Sequence, residues 1–320
     1  MSKPVCVLWL NESKLFEQAL TRNGLAGQFE VHSYANDQSV PDDLAARAEV
    51  LIGWKPAPVF QRMTKLRYAQ AMTAGVEAWL ASPHLNPNVT LCCARGTHRV
   101  SMPENILGAI FHLTKPYMQA ALDQRDSRWS RRQGVPLAGK TLGILGIGAI
   151  GQELARKAAA LEMRVIGTKR RVETLPHVHK VYAQEATDEV LAASDFVLLL
   201  LPVSDGTENF INAQRLKAMK PSAYLLNFAR GALIVDDDLI TAVKARTIAG
   251  AVLDVFREEP LPVSHPFWQT EGIHVLPHIG GGHPDRTAAV AELFVENARR
   301  LLAGETLNTL KGVVDRAAGY

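Results

Sequence analysis

Residues 141–171 read TLGILGIGAIGQELARKAAALEMRVIGTKRR, and this stretch constrains the fold more than any other part of the chain. An apolar run at 141–145 suits a buried parallel strand and leads into the sequence GIGAIG at 146–151. A segment of helical period follows, and a second apolar strand is predicted at 164–167. The stretch therefore predicts a βαβ unit with G-x-G-x-x-G at its first turn.

The three glycines of this motif have separate physical roles in dinucleotide binding. Gly146 permits a tight turn, Gly148 lets a pyrophosphate approach the backbone, and Gly151 lets the helix pack closely on the strand. The phosphates then meet N–H groups at the positive end of the helix dipole. A lone G-x-G-x-x-G also occurs in ordinary glycine-rich turns, but the two strands and the helix around this one favour dinucleotide binding.

The residues after the second strand bear on which dinucleotide is bound. NAD-binding versions carry an Asp or Glu about 20 residues after the glycines, where it accepts hydrogen bonds from the ribose. Here that place is taken by Thr168, Lys169, Arg170 and Arg171. Three cations suit a 2′-phosphate because arginine offers a planar fork for bidentate contact, although a solvated basic loop has the same composition. We predict NADP(H) as the preferred cofactor, with NAD(H) possible.

Composition excludes several other classes of protein. A length of 320 residues suits two domains, and 35 basic against 32 acidic residues leave a net charge of +3, too small to attract nucleic acid or an anionic membrane. The cysteines Cys6, Cys92 and Cys93 lack C-x-x-C spacing, so we expect neither a disulfide framework nor a metal site. No run resembles a signal peptide or a membrane span, so we expect a cytoplasmic protein without nucleic-acid or membrane partners.

Apolar runs alternate with helix-like segments along the chain, a pattern typical of parallel sheets covered by helices. In the first hundred residues, strands are predicted at 5–10, 29–34, 50–53, 66–71 and 89–93, with a helix at 14–22. A second, larger sheet is predicted to add strands at 195–201, 223–228, 248–253 and 273–276 to the βαβ unit. Ser101 is predicted as a helix N-cap with Glu104 completing a capping box. A final helix at 288–303 is expected to return to the first domain.

Two loops of the first domain follow predicted strands. Ligands of parallel sheets bind beyond the carboxyl ends of the strands, so these loops are candidate substrate contacts. Trp54 lies in one loop, and Ala74, Gly75 and Val76 lie in the next. N–H groups without acceptors around Ala74-Gly75 can form an anion-binding nest, although a plain turn fits this segment as well. For Trp54, ordinary packing is the alternative to substrate contact.

Three loops of the second sheet carry residues that suit hydride transfer to a 2-keto acid. They contain Arg230, Glu259 and His278, and parallel strands place them on the same edge as the GIGAIG turn. A guanidinium can bind a carboxylate bidentately and polarise the neighbouring carbonyl. An imidazolium can give a proton to the developing alkoxide, and a nearby carboxylate favours its charged form and fixes its orientation. Each residue alone is also common in surface turns, and their joint placement favours catalysis.

Four motifs occur in an order that resembles the D-isomer-specific 2-hydroxyacid dehydrogenases. They are GILGIGAIG, LKAMK followed by NFARGAL, DVFREEPLP and LPHIGG, and the resemblance covers almost the whole chain. It implies an α/β fold in which a Rossmann-type nucleotide-binding domain, residues 100–287, is inserted into a discontinuous flavodoxin-like substrate domain, residues 1–99 and 288–320. It also implies a homodimer.

The resemblance assigns roles to residues at matching positions. Arg230 resembles the substrate-binding arginine, Glu259 the partner of the histidine, and His278 the acid/base. With the glycine motif and the basic segment, the expected cofactor contacts are Gly146, Gly148, Ala149, Ile150, Gly151, Thr168, Lys169, Arg170, Arg171, Leu201, Pro202, Thr207, Phe228, Ala229, Arg230, Asp254, His278 and Gly280. The expected substrate contacts are Trp54, Ala74, Gly75, Val76, Arg230 and His278.

Within the family, the basic segment 168–171 and the compact length resemble glyoxylate/hydroxypyruvate reductases. We therefore predict NADPH-dependent reduction of a small 2-keto acid, such as glyoxylate or hydroxypyruvate, to its D-2-hydroxy acid. One alternative is an NAD-linked dehydrogenase of a bulkier 2-hydroxy acid. Another is a nucleotide-sensing dimeric binding protein similar to the C-terminal-binding corepressors, which can keep the same three residues.

Overall fold

The computed structural model describes residues 3–317 and 319. The chain divides into two compact units, Met1–Thr97 with His283–Tyr320 as unit 1 and His98–Gly282 as unit 2. From the sequence, the chain was expected to pass between the two domains after residues 99 and 287, whereas the units change after residues 97 and 282. Strands and helices are numbered along the whole chain.

Unit 1 is built on a five-stranded parallel sheet in the order β2-β1-β3-β4-β5. This is the flavodoxin-like strand order, as predicted. The strands are β1 (Val5–Trp9), β2 (Glu30–Tyr34), β3 (Val50–Gly53), β4 (Tyr68–Ala71) and β5 (Thr90–Cys92). The helices are α1 (Ser13–Arg22), α2 (Asp42–Arg47), α3 (Glu77–Leu80) and, from the far end of the chain, α10 (Arg286–Leu302).

Helix α10 belongs to the core of unit 1. Phe294 is fully buried, and its ring centroid lies 5.9 Å from that of Phe16 on α1 and 6.3 Å from that of Tyr68 on β4. Beyond α10, Val313 forms an antiparallel bridge with Cys92. The last helix therefore returns to the first hundred residues, as the sequence analysis expected.

Unit 2 contains a seven-stranded parallel sheet in the order β12-β11-β10-β9-β6-β7-β8. Its strands are β6 (Thr141–Leu145), β7 (Arg164–Thr168), β8 (Lys180–Tyr182), β9 (Phe196–Leu199), β10 (Tyr224–Asn227), β11 (Gly250–Leu253) and β12 (Ile273–Val275). Its helices are α4 (Ser101–Thr114), α5 (Tyr117–Arg125), α6 (Ala149–Ala159), α7 (Thr187–Ala193), α8 (Ala213–Ala218) and α9 (Asp236–Lys244). This is the Rossmann order with one added strand, and the order reverses between β6 and β9, where such sheets bind ligands at the carboxyl edge.

The predicted capping box at the start of α4 is wrong. Ser101 is the first helical residue, Val100 precedes it as the N-cap, and no side chain caps the helix. The Ser101 hydroxyl instead donates to the carbonyl oxygen of Gly281 at 3.5 Å. The Glu104 carboxylate accepts from Lys157 Nζ at 2.6 Å. Both side chains are therefore used in tertiary contacts.

Neither a membrane span nor a metal site is found in the described part of the chain. No helix within residues 3–317 is long and apolar enough to cross a membrane. The same residues contain no group of three His, Cys, Asp or Glu placed to hold a metal ion. The three cysteines are buried thiols, and burial raises the pKa of Cys92 to about 12, which makes it a poor nucleophile.

Candidate active site

The GIGAIG turn joins β6 to α6 and has the geometry of a phosphate-binding turn. Gly146 has φ +97°, which glycine adopts readily, and a β-carbon there would lie 3.0 Å from the carbonyl carbon of Leu200. A β-carbon at Gly148 would meet no atom within 4 Å, so this backbone is open to a ligand. At Gly151 it would lie 3.3 Å from Ile144 Cγ2, which reflects close packing of α6 on β6. A pyrophosphate fits here, beside the first-turn N–H groups of Ala149 and Ile150, which have no acceptor within the helix.

The loop after β9 borders this turn. Thr207 is buried, its hydroxyl donates to the carbonyl oxygen of Pro202 at 2.7 Å, and the hydroxyl oxygen accepts the N–H of Ser204 at 2.8 Å. The hydroxyl thus orders its own loop. Pro202 is exposed and Leu201 is half-buried, so these two residues present the surface of the loop to a ligand.

The basic segment follows β7. Thr168 is buried at the end of the strand, and its hydroxyl accepts the N–H of Gly146 at 3.3 Å, which joins the strand end to the glycine turn. Lys169 forms an ion pair with Glu173, and this hydrogen bond lowers the pKa of Glu173. The sequence analysis did not consider that acid. Arg170 and Arg171 are exposed, so the segment presents two arginines to solvent beside the paired lysine.

His278 follows β12 and contacts Glu259. The distance from His278 Nδ1 to Glu259 Oε2 is 2.6 Å. Because an ionised carboxylate only accepts hydrogen bonds, Nδ1 carries a proton and Nε2 is left to exchange a proton with a ligand. Glu259 Oε1 also accepts the N–H of Phe256 at 2.9 Å, which holds the carboxylate on its own loop.

The loop that carries His278 is held from two sides. His278 has φ +51°, an uncommon conformation for a residue other than glycine. Asp254 is buried, and its Oδ1 and Oδ2 accept the N–H groups of Ile279 at 2.7 Å and Gly280 at 2.8 Å. Burial raises the pKa of Asp254, although these two N–H groups and the charge of His278 act against it. From α4, Asn105 Nδ2 donates to the carbonyl oxygens of Ile279 at 3.2 Å and Gly280 at 2.9 Å.

These contacts add to the predicted roles. From the sequence, Asp254 was expected to contact the cofactor, and Asn105 was given no role. In the structure both carboxylate oxygens of Asp254 hold the backbone after His278, so it positions that loop, while its contact with the cofactor stays a prediction. No local sequence signal marks Asn105, because its partners lie far along the chain.

The loop of Arg230 is shaped by the buried Asn227 at the end of β10. Asn227 Nδ2 donates to the carbonyl oxygen of Arg230 at 2.8 Å, and its Oδ1 accepts the N–H of Ala229 at 3.1 Å. Arg230 Nη1 donates to the Ala229 carbonyl oxygen at 2.7 Å. A β-carbon at Gly231 would overlap the backbone of Phe256, so this loop packs directly on the loop that holds Glu259. Asn227 and Gly231 are positioning residues that the sequence analysis missed.

The three loops meet at the carboxyl edge of the sheet in unit 2. Phe228 is buried after β10, and a β-carbon at Gly280 would lie 2.6 Å from its Cδ1. The loop of Arg230 thus touches both the Glu259 loop and the His278 loop. The structure brings together the parts of unit 2 that the sequence predicted to carry the chemistry.

The candidate substrate loops of unit 1 also lie at the carboxyl edge of their sheet. Trp54 follows β3 and is half-buried against the core of unit 1. After β4, the N–H groups of Ala74, Gly75 and Val76 have no acceptor among the described residues. Thr73 Oγ1 donates to the carbonyl oxygen of Gly75 at 2.6 Å and stabilises the turn. Three successive N–H groups without acceptors are suited to an anion.

Known proteins are similar to this chain in sequence over most of its length. The sequence model of the NAD binding domain of D-isomer specific 2-hydroxyacid dehydrogenases matches residues 107–280, more than half of the chain. A glyoxylate reductase of Pyrococcus furiosus is 30% identical over 321 aligned residues, which cover 92% of this chain and 93% of the relative. The sequence similarity to this relative therefore extends over both units.

Solved structures with the same fold include cofactor complexes. A D-isomer specific 2-hydroxyacid dehydrogenase from Xanthobacter autotrophicus Py2, in complex with NADPH and MES, is 29% identical with a TM-score of 0.86. The NADPH-dependent glyoxylate/hydroxypyruvate reductase of Sinorhizobium meliloti, in complex with NADP and sulfate, is 27% identical with a TM-score of 0.81. Both comparisons cover 100% of this chain and 100% of the other. Sequence and fold both agree with these proteins, and the chain belongs to the family of D-isomer-specific 2-hydroxyacid dehydrogenases, which are NAD(P)-dependent oxidoreductases.

Proposed function

We propose that this protein reduces a small 2-keto acid of the glyoxylate/hydroxypyruvate type to its D-2-hydroxy acid, with NADPH as the preferred donor. The observation that carries the proposal is the 2.6 Å contact between His278 Nδ1 and Glu259 Oε2, on loops packed against the loop of Arg230. The names of the Pyrococcus and Sinorhizobium relatives support the substrate class. As the family resemblance implies, we also propose a homodimer, and on the basis of the cysteine pattern and the sequence of the N-terminus we propose a cytoplasmic location.

The cofactor fits the residues of unit 2. The open backbone at Gly148 and the N-terminus of α6 would hold the pyrophosphate, and residues 168–171 would hold the adenosine ribose and its phosphate. When bound, NADPH supplies the hydride. The buried side chains around the glycine turn keep its backbone in place before any ligand arrives.

The chemistry of this chain's residues follows from their geometry. The Arg230 guanidinium would bind the carboxylate of the keto acid and polarise its carbonyl. His278 would donate the proton on Nε2 to the alkoxide that develops, while Glu259 keeps Nδ1–H bonded and orients the ring. In the opposite direction neutral Nε2 would accept that proton, so one arrangement serves both directions.

A panel of keto acids tests the proposed reaction. Loss of reduced nicotinamide absorbance is followed separately with NADPH and NADH, using glyoxylate, hydroxypyruvate, pyruvate and phenylpyruvate. We expect rapid oxidation of NADPH with the first two acids. Faster oxidation of NADH with phenylpyruvate would favour the NAD-linked dehydrogenase of a bulkier acid. Tight binding of NADPH without turnover of any acid would favour the nucleotide-sensing protein.

The cofactor preference depends on Arg170 and Arg171. Their replacement by alanine should raise the KM for NADPH by about 10- to 100-fold, because each charge-assisted hydrogen bond to a phosphate contributes about 1.5–3 kcal/mol. The KM for NADH should change by no more than about twofold, because NADH carries no 2′-phosphate. Steady-state kinetics with both cofactors measures the two values.

Arg164→Ala is the matched control for that variant. Arg164 is exposed at the opposite end of β7, so its loss should leave both KM values unchanged. Equal increases of the NADPH and NADH values in the Arg170/Arg171 variant would show that the segment is only a solvated basic loop.

A further inference from the structure

Arg257 lies two residues before Glu259 on the loop that follows β11. Its Nε donates to the carbonyl oxygen of Ile234 at 3.1 Å, and its Nη2 donates to the same oxygen. Nη2 also donates to Asn209 Oδ1 and, at 3.4 Å, to the carbonyl oxygen of Ala232. Asn209 follows β9, and the other two partners follow β10, so one guanidinium joins the loops of three neighbouring strands of unit 2. From the sequence, Arg257 was given no role.

The loop of Arg257 has few other polar bonds to its surroundings. Among the described residues, no hydrogen bond between backbone groups joins residues 255–264 to another segment of the chain. The Glu259 carboxylate accepts the N–H of Phe256, but this bond lies within the same loop. Phe256 packs on Phe267, and such apolar contact is not directional. Arg257 therefore supplies directional contacts that fix this loop, and with it Glu259, against the neighbouring loops.

The partners of Arg257 are themselves held in place. Ile234 is buried and forms a parallel bridge with Ile211. The Asn209 N–H donates to the carbonyl oxygen of Ala232 at 2.8 Å. These bonds join the loops of β9 and β10 to each other independently of the guanidinium. Loss of the guanidinium should therefore release the loop after β11 rather than the loop after β10.

A second group of charges holds the far end of the same loop. Asp236, the first residue of α9, has its Oδ1 3.7 Å from Arg257 Nε and its Oδ2 3.5 Å from His265 Nε2. His265 Nδ1 accepts the N–H of Phe267 at 3.3 Å, which leaves the proton of the neutral ring on Nε2. Burial raises the pKa of Asp236, while Arg257 and His265 act against this. Glu259 therefore lies between two residues of one loop that both approach the start of α9.

We propose that Arg257 is a positioning residue for the acid/base pair, because it fixes the loop of Glu259 against the loops of β9 and β10 and so keeps the carboxylate at His278 Nδ1. This inference rests on the proposed function for the role of His278 as proton donor. The hydrogen bond at one ring nitrogen determines which nitrogen of a neutral histidine carries the proton. Displacement of the carboxylate would let the proton move from Nδ1 to Nε2, and the ring could then neither accept a proton at Nε2 nor keep its orientation.

The first test measures the tautomer of His278 in the full-length protein. Long-range proton–nitrogen NMR spectra of protein labelled with ¹⁵N-histidine distinguish the two neutral tautomers, and His278→Gln identifies the signals. In the wild type we expect the Nδ1–H tautomer, which Glu259 favours. In Arg257→Gln we expect the Nε2–H tautomer, which free histidine favours, to predominate. This measurement does not depend on turnover.

The second test measures kinetics of the same variants. Arg257→Gln should lower kcat by about 10- to 100-fold, the usual cost of a displacement of about 1 Å in a catalytic group. The KM for the keto acid and the Kd of NADPH should stay within about threefold of wild type, because the loop of Arg230 and the glycine turn are held by other bonds. Arg257→Lys should restore part of kcat, because an ammonium keeps the charge and loses the planar fork.

Two further variants separate positioning from stability. Asn209→Ala removes one acceptor of the guanidinium, so it should lower kcat less than Arg257→Gln, and the double variant should show less than the product of the two effects. Lys220→Gln is the matched control. It removes a cation that donates to Asp195 at 3.1 Å just before β9, at the opposite edge of the same sheet. It should lower Tm and leave kcat and the His278 tautomer unchanged.

Each outcome decides a separate claim. A lower Tm in Arg257→Gln with wild-type kcat and tautomer would overturn the inference and make the arginine structural. A lower kcat with an unchanged tautomer would overturn it as well, because the loss would not act through Glu259. If the wild type reduces none of the keto acids and the tautomer still changes in Arg257→Gln, the proposed function fails and the positioning role stands. If Arg257→Gln does not fold, wild-type kcat and tautomer in both Arg257→Lys and Asn209→Ala would refute the inference.

Discussion

Replacement of His278 by glutamine is expected to lower kcat by about 10²- to 10⁴-fold, the usual contribution of a positioned general acid. In the structure Nδ1 is bonded to Glu259 at 2.6 Å, which leaves Nε2 as the proton donor. Glutamine fills similar space and forms hydrogen bonds, but its amide cannot release a proton to an alkoxide at neutral pH. Steady-state rates at saturating NADPH and keto acid measure the loss.

The affinity for NADPH should stay within about threefold of the wild-type value, because the cofactor is held mainly at the glycine turn and the basic segment. His177→Gln is the matched control, since His177 is exposed in the loop between β7 and β8 and should be silent in both measurements. A His278→Gln protein with wild-type kcat would remove this histidine from the mechanism.

Replacement of Arg230 by glutamine should lower kcat/KM for the keto acid by about 10²- to 10⁴-fold. The estimate follows from the loss of two charge-assisted hydrogen bonds of about 1.5–3 kcal/mol each, at 1.4 kcal/mol per factor of ten. Because the guanidinium would act on the keto acid as the carbonyl is reduced, we expect kcat to fall as well as KM to rise. Arg230→Lys should recover part of the loss, because an ammonium keeps the charge and loses the fork.

A suitable control is Arg125→Gln, which removes an arginine with a 74% exposed side chain at the end of α5. It should leave kcat/KM unchanged. If Arg230→Gln kept kcat/KM within about threefold of wild type while the protein remained folded, the keto acid would have to be held by other groups. Circular dichroism is a necessary companion measurement, because the Arg230 main chain is bonded to Asn227 and its loop packs on Phe256.

Most strands could be predicted because their signal is local. Two of them, β3 (Val50–Gly53) and β6 (Thr141–Leu145), have the predicted bounds, and both are short apolar runs buried throughout. Two elements were not predicted: β8, a three-residue edge strand, and α5, whose sequence YMQAALDQR has almost no apolar face. Such elements are stabilised by their neighbours and carry too little periodicity to be recognised alone.

The failed capping box shows how tertiary contacts override a local pattern. Ser101 and Glu104 have the spacing of a capping box, and in an isolated helix each would bond to the other's backbone. In the folded unit the Ser101 hydroxyl donates to Gly281 and Glu104 binds Lys157, and both partners are more than 50 residues away. A local motif carries no information about an acceptor or a cation that lies far along the chain and that folding brings close to the same side chain.

The sequence was sufficient to predict which loops of unit 2 form the candidate site, but not the hydrogen bonds that hold them. Parallel strands share their carboxyl edge, so residues that end β10, β11 and β12 had to lie together once the sheet was recognised. The contacts that position them were not predictable, because Asp254, Asn105 and Asn227 each act through two hydrogen bonds to backbone groups, and the fold determines which groups these are.

The sequence alone was sufficient to recognise most strands, the glycine turn, the chemical types of the residues at the strand ends and the family. These features follow from short-range periodicity and from the conformational freedom of a few residues such as glycine. Both are local properties of the chain. The folded structure was needed to identify which atoms are paired, such as His278 with Glu259 or Lys169 with Glu173. A hydrogen bond or an ion pair forms only when its two atoms are placed to within a few tenths of an ångström. For segments that are distant in sequence, packing of the core sets that placement.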